Sequence, residues 1–272
     1  MKIILLILLA LIISTPTLKA EKLTGQAKLD SLLAELPNAK GDTNLIANVK
    51  LSNMEYFSIG DKNTYFKVII PDEIKIENGQ NIIWDYLEFY VNADNVVNQE
   101  IFNAKDSDYS SIFPDAQIYE QFGQNLIFLS NDDEKGISYG TLSLGDGFSR
   151  PLKTPLKSFV RPMSYGMELT DSVGVEYSNQ GYSYKGYTIQ NVVCDGEGEL
   201  KLPNKTYKNV LKFTITQNSV DVMQGSGSKI NVTGITTVWF DAEHNTALMK
   251  VDKVEIRSQY YNDDSYSVHI LK

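Results

Sequence analysis

Asp195, Glu197 and Glu199 alternate with Gly196 and Gly198, so in an extended strand their three carboxylates share one face. Clustered oxygens of this kind can bind calcium weakly, but a charged solvent face over a bulge accounts for them more simply. His244, inside Asp241-Ala-Glu-His-Asn245, and His269 are the only two imidazoles of the chain, too few for a histidine-rich zinc centre. The first reads as a solvated turn residue and the second as a strand residue. Cys194, the sole cysteine, ends an apolar run and reads as a buried structural thiol rather than a nucleophile. Gly225-Ser-Gly-Ser228 is not the Gly-x-Ser-x-Gly elbow of a serine hydrolase. The 34 acidic residues make some carboxylate pair of the kind a glycosidase uses inevitable, and no motif selects one. What remains is aromatic: Trp84, Tyr86, Tyr182 and Tyr184 offer stacking faces to a sugar or a partner, although in a β-protein such side chains also serve as core. No residue pattern calls for a cofactor or a resident metal.

The elements that would carry these residues are mainly strands. Leu200 and Leu202 alternate with polar neighbours up to Pro203-Asn204, and Tyr207, Leu211, Phe213 and Ile215 then share a face, which predicts a hairpin over Asp195–Ile215. Gly196 and Gly198 predict a bulge or bend in its first arm. Short β-branched or aromatic runs at Tyr65–Ile70, Ile82–Val91, Asn125–Ser130 and Ile137–Leu144 predict further strands, with turns at Pro71-Asp72, Asn78-Gly79, Asn131–Asp133 and Gly145–Gly147. Val91–Asp108 is polar and weakly patterned, and reads as a long loop or short helix. Towards the C-terminus, Ile230, Val232, Val238 and Phe240 share a face, as do Ala247, Met249 and Val251. At Val251–Val254 the alternation slips, which predicts a second bulge. Asp241–Asn245 reads as a hairpin turn. Upstream, Leu29, Leu32, Leu33 and Leu36 recur at helical spacing until Pro37, and Ile46, Val49, Met54 and Phe57 suggest a second helix from Asn44.

Met1-Lys2, the apolar run Ile3–Ile13 and a small residue at Ala20 read as a secretory leader over residues 1–20, too short an apolar stretch to span a bilayer. Its removal, which takes away Lys2 and Lys19, moves the net charge from −9 to −11. An acidic surface opposes nucleic acid and anionic membranes, so neither is expected as a partner. One cysteine cannot form an intramolecular disulfide, so an exported chain of this size rests on its core. Sixteen Tyr against two Trp and two His suits β-structure with amphipathic faces. The organisation expected is a leader over 1–20, a helical lead-in over 21–60, a β-rich half over 61–150 and an antiparallel β domain over 151–272. Pro151, Pro155 and Pro162 form the connector between the halves.

Two stretches resemble known families. Leu29–Asn44 looks like the entry helix of tetratricopeptide arrays, although nothing after Asp61 repeats it. Phe113-Pro-Asp-Ala116, Pro155, Pro162–Asp171 and Asp195–Lys212, in that order and spacing, resemble a broad group of secreted Bacteroidota proteins that often carry a type IX secretion sorting tail. The resemblance spans about Ile112–Lys272 and implies export without implying an activity. Glu197 stands where that group commonly has an aromatic, and no sorting domain follows the last strands, which favours the periplasm over the cell surface. The chain is therefore expected to be mostly antiparallel β, as a β-sandwich or a curved half-barrel, with a short helical N-terminus. The function expected is that of a non-catalytic envelope module recognising a protein or glycan. The alternatives are a periplasmic carrier of a lipid or other hydrophobic ligand and, less favoured, a carboxylate-pair hydrolase.

Overall fold

The hairpin forms with its arms longer than the alternation alone suggested. The computed structural model describes residues 49–70 and 73–272. Among the described residues fifteen strands follow one another: β1 (Lys50–Leu51), β2 (Lys62–Val68), β3 (Gly79–Asp85), β4 (Val96–Asn103), β5 (Ile118–Phe122), β6 (Asn125–Asn131), β7 (Lys135–Ser143), β8 (Ser149–Val160), β9 (Met163–Ser164), β10 (Glu168–Asn179), β11 (Tyr182–Lys201), β12 (Thr206–Met223), β13 (Lys229–Phe240), β14 (Met249–Ser258) and β15 (Asn262–Leu271). The hairpin is β11 and β12, turning at 202–205, and the expected bulge is present as register shifts at Cys194/Gly196 and Gly198/Leu200.

The sheet is neither a sandwich nor a half-barrel. Twelve antiparallel strands run β2-β4-β5-β6-β7-β8-β10-β11-β12-β13-β14-β15, and β15 pairs back onto β2 through Val268↔Val68 to Leu271↔Tyr65, closing a barrel. The closure depends on β10, which pairs with β11 along its whole length, from Glu168↔Val193 to Asn179↔Tyr182, and meets β8 at Val175↔Leu152. That last seam is thinly laddered because Pro151 and Pro155, expected to lie in a connector, sit inside β8 and have no N–H to give. Side chains bridge it instead: the Lys157 N–H donates to Asp171 Oδ2 at 2.9 Å and Gln190 Nε2 donates to the Lys157 carbonyl at 3.0 Å. Strands from both expected β-halves thus belong to one ring.

Three further expectations need correction. The helix expected around Leu29–Leu36 lies outside the described residues, but the one expected over Asn44–Phe57 is described from Val49 and is not helical there. Lys50–Leu51 pairs with Met163–Ser164, and 52–61 crosses one end of the barrel. Leu51, Met54 and Phe57 recur at three because they plug this mouth, the first two against Phe159, Met163, Val192 and Phe213, the third against Ile101, Ile118 and Leu129. Among the described residues the only helical turn is the 3-10 turn Ala104–Asp106, and none is a helix long and apolar enough to cross a membrane. Within Val91–Asp108, read as loop or helix, Val96–Asn103 is a strand of the ring. The slip at Val251–Val254 is no bulge, since β14 pairs without interruption on both sides. It marks a change of buried face: Met249 and Val251 point outward, while Lys250, Asp252 and Val254 line the lumen.

Met249 and Val251 are buried from outside by an outer layer. Ile74, Ile76, Trp84, Tyr86 and Phe89 pack on Trp239, Met249, Val251, Val268 and Ile270, and β3 runs parallel to β11, Gly196↔Gly79 to Lys201↔Asp85. The two chains approach so closely that a Cβ at Gly198 would fall 2.8 Å from the Ile82 backbone nitrogen and carbonyl carbon. Gly198→Ala is therefore expected to cost about 1–3 kcal/mol through forced separation of β3 from β11. Urea unfolding checks this, and an unchanged midpoint would mean that the outer strand does not hold Gly198 in this register.

Candidate functional site

Eight strands fill a barrel with their own side chains, whereas twelve enclose more room than side chains occupy. The lumen accordingly keeps a cavity of about 460 Å³. Its apolar wall includes Phe57, Val97, Phe122, Ile127, Leu129 and Val254, and it reaches the rim at Gly123–Asn125, beside the short strands β5 and β6. The mouth opposite the plug narrows around Phe148, Tyr177, Tyr184, Val232 and Ile256.

The polar side of the cavity lies towards the plug. Alternation on β14 sends Lys250 and Asp252 inward together, their charges 3.5 Å apart, and Thr236 Oγ1 donates to Asp252 Oδ1 at 2.7 Å. From β4 and β5, Gln99 Nε2 donates to Glu120 Oε1 at 2.7 Å, while Gln99 Oε1 accepts from Asn63 Nδ2 and Thr246 Oγ1, each at 2.8 Å. The Tyr65 hydroxyl donates to the Ala247 carbonyl at 2.8 Å and lies 2.5 Å from Thr246 Oγ1. On β15, Ser265, Ser267 and His269 complete the wall. Glu55 comes from the plug. Its backbone is left-handed, φ 51°, a conformation uncommon outside glycine that persists only where neighbours hold it. They do so here: Arg161 Nη2 and Nε donate to the Met54 carbonyl at 2.8 and 3.2 Å, the Glu55 N–H donates to the Asn245 carbonyl at 2.8 Å, and Asn53 Nδ2 donates to the Asp241 carbonyl at 2.9 Å.

Enclosure sets the electrostatics. Glu55 is half-buried by area, but the surface it keeps lines the cavity, and its carboxyl is raised to about 7, first by burial and then by Glu120, against Lys250 and Arg161. Glu120 is also raised, chiefly by burial, with the Gln99 hydrogen bond opposing. At Lys250 burial works against the charge, but Asp252, Glu120 and Glu55 outweigh it and hold the ammonium above its ordinary range. His269 is driven down to about 4, mainly by burial, and stays neutral. Its Nδ1 is buried and has no hydrogen-bond partner among the described residues.

These shifts predict a pH dependence. A carboxyl raised from 4.5 to about 7 on folding stabilises the native state fully below 4.5, and that contribution is lost as pH rises through about 7. Glu55→Gln, neutral throughout, is expected to gain on the order of 2–3 kcal/mol relative to the parent between pH 5 and pH 8. Denaturant midpoints across that range check it, and parallel curves for the two proteins would show that Glu55 ionises as it does in water. His269 acts in the opposite sense, its contribution falling away as pH drops from 6.5 towards 4.

Of the residues singled out from sequence, His269 is a strand residue as expected and lines the cavity, while none of Trp84, Tyr86, Tyr182 and Tyr184 does. Trp84 and Tyr86 belong to the outer layer, Tyr184 stacks on Tyr177 at 5.1 Å, and Tyr182 is exposed. Asp195 is engaged by Lys212 Nζ at 2.8 Å and by Thr214 Oγ1 at 2.7 Å, and Glu197 is buried beside Gln80, so the three alternating carboxylates do not form an open face. Asp241, Glu243 and His244 come within 4.8 Å of one another, but Asp241 Oδ1 accepts the Glu243 and His244 N–H groups at 3.0 and 2.9 Å and lies 2.8 Å from His244 Nδ1, as a turn cap does. Cys194 is fully buried, and burial, with Asp195 and Glu197, pushes its thiol up to about 12, far from nucleophilic. The lumen site itself was missed from sequence; the inward polar residues at Gln99, Lys250 and Asp252, where a packed core would be apolar, were its only trace.

In comparisons with known proteins, no family model, no curated protein and no solved structure matches the chain. The resemblance of Ile112–Lys272 to secreted Bacteroidota proteins therefore rests on its four sequence blocks alone.

Proposed function

We propose that this protein is an exported binding protein that holds a small organic ligand inside its barrel, the carrier alternative of the sequence reading placed ahead of the surface module. The observation that carries this is the lumen itself: about 460 Å³, within the range of small-molecule sites, with an apolar wall on one side and converging polar groups on the other. Recognition through Trp84 and Tyr86 has weaker support, because both are buried in the outer layer. The barrel is read as working in water. Exposed ion pairs join neighbouring strands at Lys62–Glu100 (2.6 Å), Lys153–Glu176 and Arg257–Asp264 (2.5 Å), and a lipid-facing strand would be penalised for each such charge by up to about 2–4 kcal/mol.

Native mass spectrometry of residues 21–272 purified gently from an envelope fraction tests the reading. A discrete added mass that is lost on denaturation is expected, and Ile127→Trp, which fills the cavity, should abolish it while Tyr182→Ala leaves it intact. A bare protein at high occupancy, or an adduct indifferent to Ile127→Trp, would return the surface module to first place.

A further inference from the structure

The cavity is lined by three carboxylates, Glu55, Glu120 and Asp252, against one ammonium, Lys250, with His269 neutral. Lys250 sits 3.5 Å from Asp252. Among the described residues no cation lies within ion-pair distance of Glu55 or Glu120, and the nearby Arg161 turns its guanidinium to the Met54 and Asp132 carbonyls instead. Two enclosed carboxylates that share the more distant field of Lys250 but have no contacting cation are costly unless they take up protons or something else supplies the charge. A second, independent observation points to a missing guest: His269, 7% exposed and lining the same cavity, has its Nδ1 buried and without a hydrogen-bond partner among the described residues. Native proteins rarely leave such an atom unpaired.

We propose that the ligand is an amphiphilic amine, its ammonium group seated between Glu55 and Glu120 and within reach of His269, and its hydrocarbon part against Phe57, Phe122, Ile127 and Leu129. This rests on the ligand-binding reading above and specifies its chemical class. A bound divalent metal fits the site less well, because Lys250, paired with Asp252, already places a positive charge in the same cavity and much of the remaining wall is apolar. An ammonium there would make charge-assisted hydrogen bonds to both glutamates and favour the ionised form that enclosure opposes in the empty site. Glu55 reaches this position only through the strained backbone of the plug, so the plug is part of the site and not merely a stopper.

The test uses three probes that share an eight-carbon body and differ at the head: octylamine, 1-octanol and octanoate, titrated calorimetrically into residues 21–272 at pH 7.5. Octylamine is expected to bind about tenfold or more tightly than octanol, and octanoate most weakly, since one charge-assisted contact is worth roughly that factor. Glu55→Gln and Glu120→Gln should each bring octylamine down to about the octanol affinity while leaving octanol itself unchanged. Equal binding of the three probes, or a preference for octanoate, with all binding lost in Ile127→Trp, would overturn the amine and leave the lumen as a ligand site. Binding of none, or binding that survives Ile127→Trp, would overturn both readings.

Discussion

Arg150→Met is expected to lower the unfolding free energy by about 3–5 kcal/mol, because it leaves a buried carboxylate without its cation. Arg150 and Asp221 are 3% and 0% exposed. Their contact is a fork: Arg150 Nε donates to Asp221 Oδ2 at 3.0 Å and Nη2 donates to Oδ1 at 2.9 Å. Nη1 donates to Thr188 Oγ1 at 3.0 Å, Thr188 meets Ser219 at 2.9 Å, and the Tyr177 hydroxyl donates to Asp221 Oδ2 at 2.8 Å. The network ties β8, β10, β11 and β12 together from inside the barrel, beside the seam where β8 and β10 share little backbone pairing. Its loss should therefore register in closure as well as in stability. The double variant Arg150→Met/Asp221→Asn keeps an acceptor for Tyr177 and removes the stranded charge, so it should recover most of the loss. Thermal unfolding is the readout: for a domain of this size the single variant should melt about 6–20 °C below the parent. A single variant within about 1 kcal/mol of the parent would show that the pair is not enclosed as described.

Trp84→Ala is expected to cost about 3–5 kcal/mol, the range for truncating a fully packed aromatic. Trp84 is 3% exposed and meets Trp239 edge-on, with ring centroids 6.0 Å apart, and its Nε1 donates to the Glu77 carbonyl at 2.9 Å. The indole lies so close to β11 that a Cβ at Gly196 would come within 2.7 Å of it, so this glycine makes room for the ring. Tyr182→Ala, at an exposed position, should stay within about 0.5 kcal/mol. Hydrogen exchange over 73–91 would show whether the loss is local to the outer layer or shared with the barrel. If Trp84→Ala weakened binding of a glycan or protein at unchanged stability, the indole would be a recognition surface after all.

Much of the framework was legible because strand pairing leaves a local signature. The β11–β12 hairpin follows from Leu200, Leu202, Leu211 and Phe213 alternating around Pro203-Asn204. Its bulge follows from Gly196 and Gly198, whose structural reason, the passage of Ile82 and Trp84 across them, lies more than a hundred residues upstream. Val96–Asn103 was not legible as a strand, because Gln99 occupies an inward position that period-2 reasoning expects to be apolar. That position is polar since Glu120 and Thr246 meet it there. The slip on β14 misled for a related reason: one strand buries its outer face near Met249 and its inner face near Ile256, and sequence alternation cannot distinguish a change of covering layer from a bulge.

The sequence by itself determined the β class, the long hairpin, its bulge and most of the turns, all of which depend on contacts between near neighbours or on what one residue type permits its own backbone. Tertiary structure alone decided that the sheet closes, that the plug bends Glu55 into the lumen, and that Glu55, Glu120, Lys250 and His269 share one cavity. Closure joins β2 to β15 across almost the whole described chain, and no local pattern records which strand edge will find which. Once the ring is shut, scattered polar residues that would read as solvated faces on an open sheet are enclosed together, and low-dielectric enclosure is what turns them into a site.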